Sequence, residues 1–87
     1  MTLWTIYIHA ADGKLHEVEI DSEKTFGEFR RKVSDIINIR SNDLVLVGAQ
    51  EYNYNFNSEK ISNIINDEIT LYAVYQVGGG KYFFINK

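Results

Sequence analysis

The chain has 87 residues, of which 45% are hydrophobic and 14% aromatic, and this length suits one small domain with one core. A net charge of −3 without a long basic run argues against a nucleic-acid partner. The absence of cysteine excludes a disulfide framework, a thiolate zinc site and a cysteine nucleophile. No apolar run reaches membrane-spanning length and no apolar leader opens the chain, so we expect a cytoplasmic protein without a membrane partner.

The first two predicted strands form a hairpin. Residues 3–9 and 15–20 each alternate in polarity, and an Asp12-Gly13 turn lies between them. His16 falls on the apolar face of the second strand, whereas His9 falls on the opposite face of the first. Because zinc needs three or four converging ligands, we interpret His16 as a rim histidine satisfied by backbone or water, and we predict no metal site.

A helix is predicted to begin after Thr25, because Thr25 and Glu28 have the spacing of a capping box. Apolar residues then recur at helical spacing and predict one buried stripe, formed by Phe26, Phe29, Val33, Ile36 and Ile37. The basic run Arg30-Arg31-Lys32 is interpreted as a solvated helix face, since three basic residues are a weak anion signal.

The segment after the helix is less regular. Residues 44–47 form a short apolar strand that ends at Gly48. Residues 49–60 fit either a short strand or an aromatic-rich loop. We expect the three spaced rings of this segment, Tyr52, Tyr54 and Phe56, to pack over the edge of the core. Residues 61–65 predict a short helical turn.

The last predicted strand covers residues 69–77 and alternates in polarity. Ile69, Leu71 and Ala73 share one face, and Thr70, Tyr72, Val74 and Gln76 share the other. Three glycines, Gly78 to Gly80, follow directly, and a seven-residue tail ends at Lys87. Glycine permits backbone conformations that other residues avoid, so these residues predict a flexible arm.

The order of strand, turn, strand, helix, short strand, helical turn, last strand and diglycine resembles the ubiquitin-like β-grasp family over about residues 4–80. The matching motifs are Asp12-Gly13-Lys14, Thr25-Phe26, Leu44-Val45-Leu46-Val47-Gly48, Ile61-Ser62-Asn63 and Thr70-Leu71-Tyr72-Ala73-Val74. The resemblance implies an α+β fold with a mixed four- to five-stranded sheet on one amphipathic helix, a domain over residues 1–77 and a Gly-rich arm with a processed tail over residues 78–87. The predicted core comprises Trp4, Ile6, Ile8, Val18, Ile20, Phe26, Phe29, Val33, Leu44, Leu46, Ile61, Ile65, Leu71 and Ala73.

The function that this resemblance implies is that of a protein modifier made as a precursor. A cysteine or metal-dependent protease would cut between Gly80 and Lys81, with Gly79 and Gly80 as the terminal pair. Activating and conjugating enzymes would then join the Gly80 carboxylate to amines on target proteins. The chain itself would be a monomer without catalytic residues or a cofactor.

Several positions depart from the family pattern. An arginine read by the ubiquitin-activating enzyme falls on Gln76, and the next arginine falls on Gly78, which implies dedicated enzymes. Of the chain-forming lysines, only Lys14 and Lys32 have counterparts. The segment at residues 49–60 is longer than in the family.

The apolar surface through which ubiquitin is recognised corresponds here to Ala11, Val45, Tyr72 and Val74, which we call the predicted patch. Tyr72 and Val74 point the same way because they lie two residues apart on a strand. Exposed apolar clusters on soluble domains often mark recognition sites. We therefore predict that Val45, Tyr72 and Val74 are exposed together, with Ala11 at the rim.

The main alternative is a ubiquitin-like interaction module that is not conjugated and keeps its tail. Tyr82, Phe83, Phe84 and Ile85 have high β-propensity and can pair with a sheet edge. A tail whose backbone is paired with the domain favours this alternative, whereas a tail that projects into solvent favours the precursor. A sulfur-carrier protein is a third hypothesis, which the tail beyond the diglycine disfavours.

Overall fold

A computed structural model describes residues 2–77 and 81–83, with the backbone alone for 75–77 and 81–83. Its strands and its helix follow the predicted order. They are β1 (Leu3–His9), β2 (Leu15–Asp21), α1 (Phe26–Ile37), β3 (Leu44–Val47), β4 (Glu51–Tyr52), β5 (Thr70–Val77) and β6 (Lys81–Phe83). Short 3₁₀ helices cover Ser41–Asp43, Tyr54–Phe56 and Ile61–Asn63. Within the described residues, no helix is long and apolar enough to cross a membrane.

The strands form one mixed sheet in the order β2-β1-β5-β3-β4, and β6 also pairs with β5. β1 runs antiparallel to β2 and parallel to β5, whereas β3 runs antiparallel to both β4 and β5. With α1 against one face, this is the β-grasp architecture that the resemblance implied. The predicted α+β class is confirmed, and β6 adds a strand to the predicted four or five.

The start of α1 is fixed by the predicted capping box. The Glu28 N–H donates to Thr25 Oγ1 at 3.2 Å, and the Thr25 N–H donates to Glu28 Oε1 at 3.0 Å. These two bonds satisfy backbone donors that a helix start otherwise leaves unpaired. The backbone bond from Thr25 also lowers the pKa of the Glu28 carboxyl. Asn38 ends the helix in the left-handed conformation, with φ at 62°.

The core lies between α1 and the sheet and confirms the predicted apolar alternation. Its buried residues are Ile6, Ile8, Val18, Ile20, Phe26, Phe29, Val33, Leu44, Leu46, Tyr52, Ile61, Ile65, Leu71 and Ala73. Trp4 packs against this cluster and is partly buried, so it lies at the rim. On the helix stripe the prediction was wrong for Ile36, which is 43% exposed, because this position near the last turn lies beyond the sheet's cover.

Arg30 corrects the prediction of a solvated basic face, because it is only 3% exposed. Its guanidinium donates to the Leu44 carbonyl at 2.6 Å, to the Ser41 carbonyl, and to Asn57 Oδ1 at 3.2 Å. Burial lowers the pKa of Arg30. Its five donors in a rigid fork suit several carbonyls at once, so this side chain joins α1 to the start of β3.

The aromatic segment at residues 51–56 is part strand and part 3₁₀ helix. The Tyr52 ring is buried and lies 5.8 Å from the Phe26 ring and 5.4 Å from the Phe56 ring, centre to centre. Packing over the core edge is therefore confirmed for Tyr52 and Phe56. It is wrong for Tyr54, which is 63% exposed.

Candidate functional site

β5 is the central strand of the sheet, and it carries three of the predicted functional residues, Tyr72, Val74 and Gln76. β1 flanks it from Thr70 to Tyr72, and β3 flanks it from Tyr72 to Tyr75. Leu71 and Ala73 enter the core, so alternation directs Tyr72 and Val74 to the opposite face of the sheet. We call that face, which turns away from α1, the outer face.

The structure brings Val45 and Val74 together but does not expose them. They are directly opposite each other in the β3–β5 ladder, and they are 2% and 5% exposed. Cross-strand valines pack their side chains against each other, and both strands are interior to the sheet. The predicted exposure of Val45 and Val74 is therefore wrong, because alternation identifies the face of a residue but not its burial.

Tyr72 is exposed as predicted, with 41% of its surface accessible. Its ring centre lies 5.1 Å from that of His9, because the parallel β1–β5 register places these two residues side by side. His9 was not among the residues predicted to lie beside the predicted patch. Alternation had placed it on the correct face, but nothing local reveals which strand pairs with β1 in parallel.

Ala11 is half-buried in the turn between β1 and β2, and the predicted Asp12-Gly13 turn is confirmed. The Lys14 N–H donates to Asp12 Oδ1 at 2.8 Å, and Gly13 has φ of 82°. The Lys14 backbone bond, followed by the contact with His16, lowers the pKa of Asp12. His16 Nε2 lies 3.2 Å from Asp12 Oδ2, so this rim histidine is satisfied by a carboxylate.

The two lysines predicted to form chains differ in their surroundings. Both Lys14 and Lys32 are exposed. The Lys32 ammonium donates to the Glu19 carbonyl of β2, which joins α1 to the sheet. Among the described contacts the Lys14 ammonium has no such bond, so Lys14 is the more available amine.

The C-terminal arm is paired with the domain in its described part. Val77 pairs with Lys81, Gln76 with Tyr82 and Tyr75 with Phe83, in antiparallel register. Tyr75 also pairs with Leu44 of β3, so β6 lies on the other edge of β5. β1 pairs with this same edge nearer the start of β5. β6 therefore continues the line of β1, beside the end of β5.

The predicted processing site is only partly within the described residues. The backbone of Gln76 lies in β5 and that of Lys81 lies in β6. Gly79 and Gly80, together with tail residues 84–87, lie outside the described residues. The proposed roles of these residues in activation and cleavage stay predictions.

Within the described part of the chain, no group of three or more His, Cys, Asp and Glu side chains is placed to hold a metal ion. The His9 ring lies against Tyr72, and His16 contacts Asp12. The two histidines therefore have different partners.

No family model and no curated protein matches this sequence. Among solved structures 279 chains match. One is a chain of the crystal structure of a pParkin–pUb–UbcH7 complex, with a TM-score of 0.72 and 14% identity. The match covers 85% of the present chain but 23% of that chain. A likeness at this identity shows the fold alone, and so widely shared a fold does not determine function. The fold of the chain is ubiquitin-like.

Proposed function

We propose that this chain is a ubiquitin-like protein-interaction module that keeps its C-terminal segment as a strand of its own sheet. The observation that carries the proposal is the antiparallel pairing of β6 with β5 from Tyr75–Phe83 to Val77–Lys81. A free C-terminal arm, by contrast, would leave these backbone groups of β5 open to a processing or activating enzyme. The module acts by binding partner proteins, as a cytoplasmic monomer without catalysis or cofactor.

The burial of Val45 and Val74 supports the same proposal. Recognition in the manner of ubiquitin needs these two side chains at the surface, and both are buried. Gln76 and Gly78 also replace the arginines of the family pattern. Recognition of this chain therefore depends on other surfaces.

A modifier precursor is the second candidate, favoured by one specific observation. Gly79 and Gly80 follow the last strand of a ubiquitin-like fold at the spacing that the family uses for conjugation. Cleavage after Gly80 would remove β6 and free the Gly80 carboxylate for adenylation, for transfer to an enzyme thiol and for attack by a target amine. Opening of the β5–β6 pairing has to precede that cleavage.

Intact-mass measurement of the protein recovered from its native cells tests whether the chain is an interaction module or a modifier precursor. The module hypothesis expects every molecule to retain residues 81–87. Molecules that end at Gly80, or adducts joined through Gly80, would overturn it.

A Gly80→Val variant, expressed in the same cells, is the matched control. Under the module hypothesis its mass differs from that of the parent chain only by the substitution, and it captures the same partners. Under the modifier hypothesis it stays at full length while the unmodified chain is shortened, and its adducts disappear.

A further inference from the structure

β2 is one of the two terminal strands of the sheet, and β4 is the other. All seven residues of β2 pair with β1, and among the described residues no strand pairs with its other side. An open edge presents backbone donors and acceptors that can pair with another extended chain.

The backbone groups that face this open edge can be identified from the bonds at each end of the hairpin. The Ser22 N–H donates to the Thr2 carbonyl at 2.8 Å, and the Ala10 N–H donates to the Lys14 carbonyl at 3.1 Å. Even-numbered residues of β2 thus direct their backbone groups to β1, and odd-numbered residues direct theirs outward. The bond from the Lys32 ammonium to the Glu19 carbonyl agrees with this assignment.

The odd-numbered positions of β2 are also acidic. Glu17 and Glu19 are exposed, and Asp21 is half-buried. Because they lie two residues apart, their side chains share the outer face. None of the three forms an ion pair with the residues that the structure describes. The Asp21 carbonyl accepts from the Lys24 N–H, and the Asp21 carboxylate accepts from the Glu23 N–H. The open edge therefore combines the outward backbone groups of Leu15 and Glu17 with the carboxylates of Glu17 and Glu19, which form no ion pair among the described residues.

We propose that the β2 edge binds an extended, basic segment of a partner protein as an added strand. Lysine or arginine at alternate positions of that segment lies opposite Glu17 and Glu19, where opposite charges stabilise a cross-strand pair. A backbone N–H of the partner replaces the Lys32 ammonium at the Glu19 carbonyl. A second copy of this chain is a poor occupant, because pairing of two β2 edges brings glutamates together.

This inference rests on the proposed function only in that the chain acts by binding proteins. The intact mass tests whether the tail is kept, and peptide binding tests the edge, so the two can fail separately.

The test uses the full chain and a capped peptide that alternates lysine and valine and matches β2 in length. We expect the peptide to bind and to shift the backbone amide NMR signals of Glu17 and Glu19 more than those of the even-numbered residues. A peptide with N-methyl groups along the pairing edge keeps the charge but lacks the donors. We expect it to lose at least about tenfold in affinity.

A charge-reversal pair of variants tests the glutamates. We expect Glu17→Lys combined with Glu19→Lys to weaken binding about tenfold, because two favourable cross-strand pairs become repulsive. The matched control combines Glu51→Lys with Glu59→Lys, which changes the net charge equally at two exposed positions elsewhere. We expect the control to bind within about twofold of the unmodified chain.

Three results would each overturn the proposal: no binding of the alternating peptide, equal binding of its N-methylated form, or equal weakening in the control variant. If the β2 variant fails to fold, the comparison of the two peptides on the unmodified chain still decides the outcome.

Discussion

The first and the last hairpin of this sheet, β1–β2 and β5–β6, differ in what holds them together. In β1–β2 seven residue pairs are in register, and the turn is fixed by Asp12, which accepts from the Lys14 N–H, and by Gly13 at positive φ. In β5–β6 three pairs are in register, and only Gly78, Gly79 and Gly80 connect the strands. A glycine connection has no side chain that could select one turn geometry.

This difference predicts that β6 can open without unfolding the domain. β1 and β2 contribute Ile6, Ile8, Val18 and Ile20 to the core, so we expect the domain to unfold if they leave the sheet. The pairing of β5 with β1 and β3 does not involve β6, so we expect it to persist when β6 opens. Four predictions test the comparison.

Truncation of the first hairpin's core is expected to have the largest effect. Ile6 is fully buried and lies opposite Val18. We expect Ile6→Ala to lower the free energy of unfolding by about 2–5 kcal/mol, because it removes buried methyl groups and leaves a cavity. Urea unfolding followed by circular dichroism measures this. Leu3→Ala is the control, since Leu3 is 58% exposed, and a loss as large as that of Ile6→Ala would contradict the assigned core.

The turn of the first hairpin comes next. Gly13 has φ of 82°, a region in which a Cβ atom costs about 1–2 kcal/mol. We expect Gly13→Ala to lower the free energy of unfolding by that amount. Gly13→Asn should cost less, because asparagine tolerates left-handed conformations better. Equal stabilities for the alanine, asparagine and unmodified chains would show that the turn does not depend on this conformation.

Disruption of the β5–β6 hairpin should cost less than about 1 kcal/mol, because each strand hydrogen bond gained offsets the entropy lost in ordering its residues. We expect Phe83→Pro, which removes the backbone donor opposite Tyr75, to change the melting temperature little relative to Phe83→Ala. We also expect amides of β6 to exchange hydrogen faster than amides of β2. If the amides of β6 exchanged hydrogen as slowly as those of β2, the two strands would belong to one cooperative unfolding unit.

The smallest expected effect is a pH dependence from the first turn. The Lys14 backbone bond lowers the pKa of Asp12 in the folded state. This carboxylate therefore stabilises the fold above its ordinary pKa of 3.8, and the stabilisation is lost as the pH falls through the lowered folded-state value. The difference in free energy of unfolding between the unmodified chain and Asp12→Asn should therefore become smaller from neutral to strongly acidic pH. A difference of the same size at both pH values would contradict this.

Much of the fold could be predicted because its signals are local. The Thr25–Glu28 capping box, the Asp12-Gly13 turn and the alternation in β1, β2 and β5 each depend on residues close in sequence. The predicted core matches the observed one apart from Trp4 at its rim and the added Tyr52. The α+β class followed from the resemblance of this order of elements to the ubiquitin-like β-grasp family.

Contacts between distant elements could not be predicted in the same way. Helical spacing from Phe26 and Val33 places Arg30, but not Arg31 or Lys32, beside the apolar stripe. The burial of Arg30 also needs the carbonyls at residues 41 and 44 that accept its donors, and no local pattern predicts those partners. Tyr52 joins the core through ring contacts with Phe26 and Phe56, although Tyr54 in the same spacing stays exposed.

The sequence by itself determined β1, β2, α1, β3 and β5, the faces of these strands and the diglycine after β5, since period and turn chemistry are local properties. Only the tertiary structure decided that Val45 and Val74 are buried, that the His9 ring lies against Tyr72, that β6 continues the line of β1 along β5 and that no described strand covers the outer edge of β2. Each of these depends on which strands pair and in which register. Alternation tells which side of a strand a residue faces, but burial and edge position depend on what the rest of the chain places beside it.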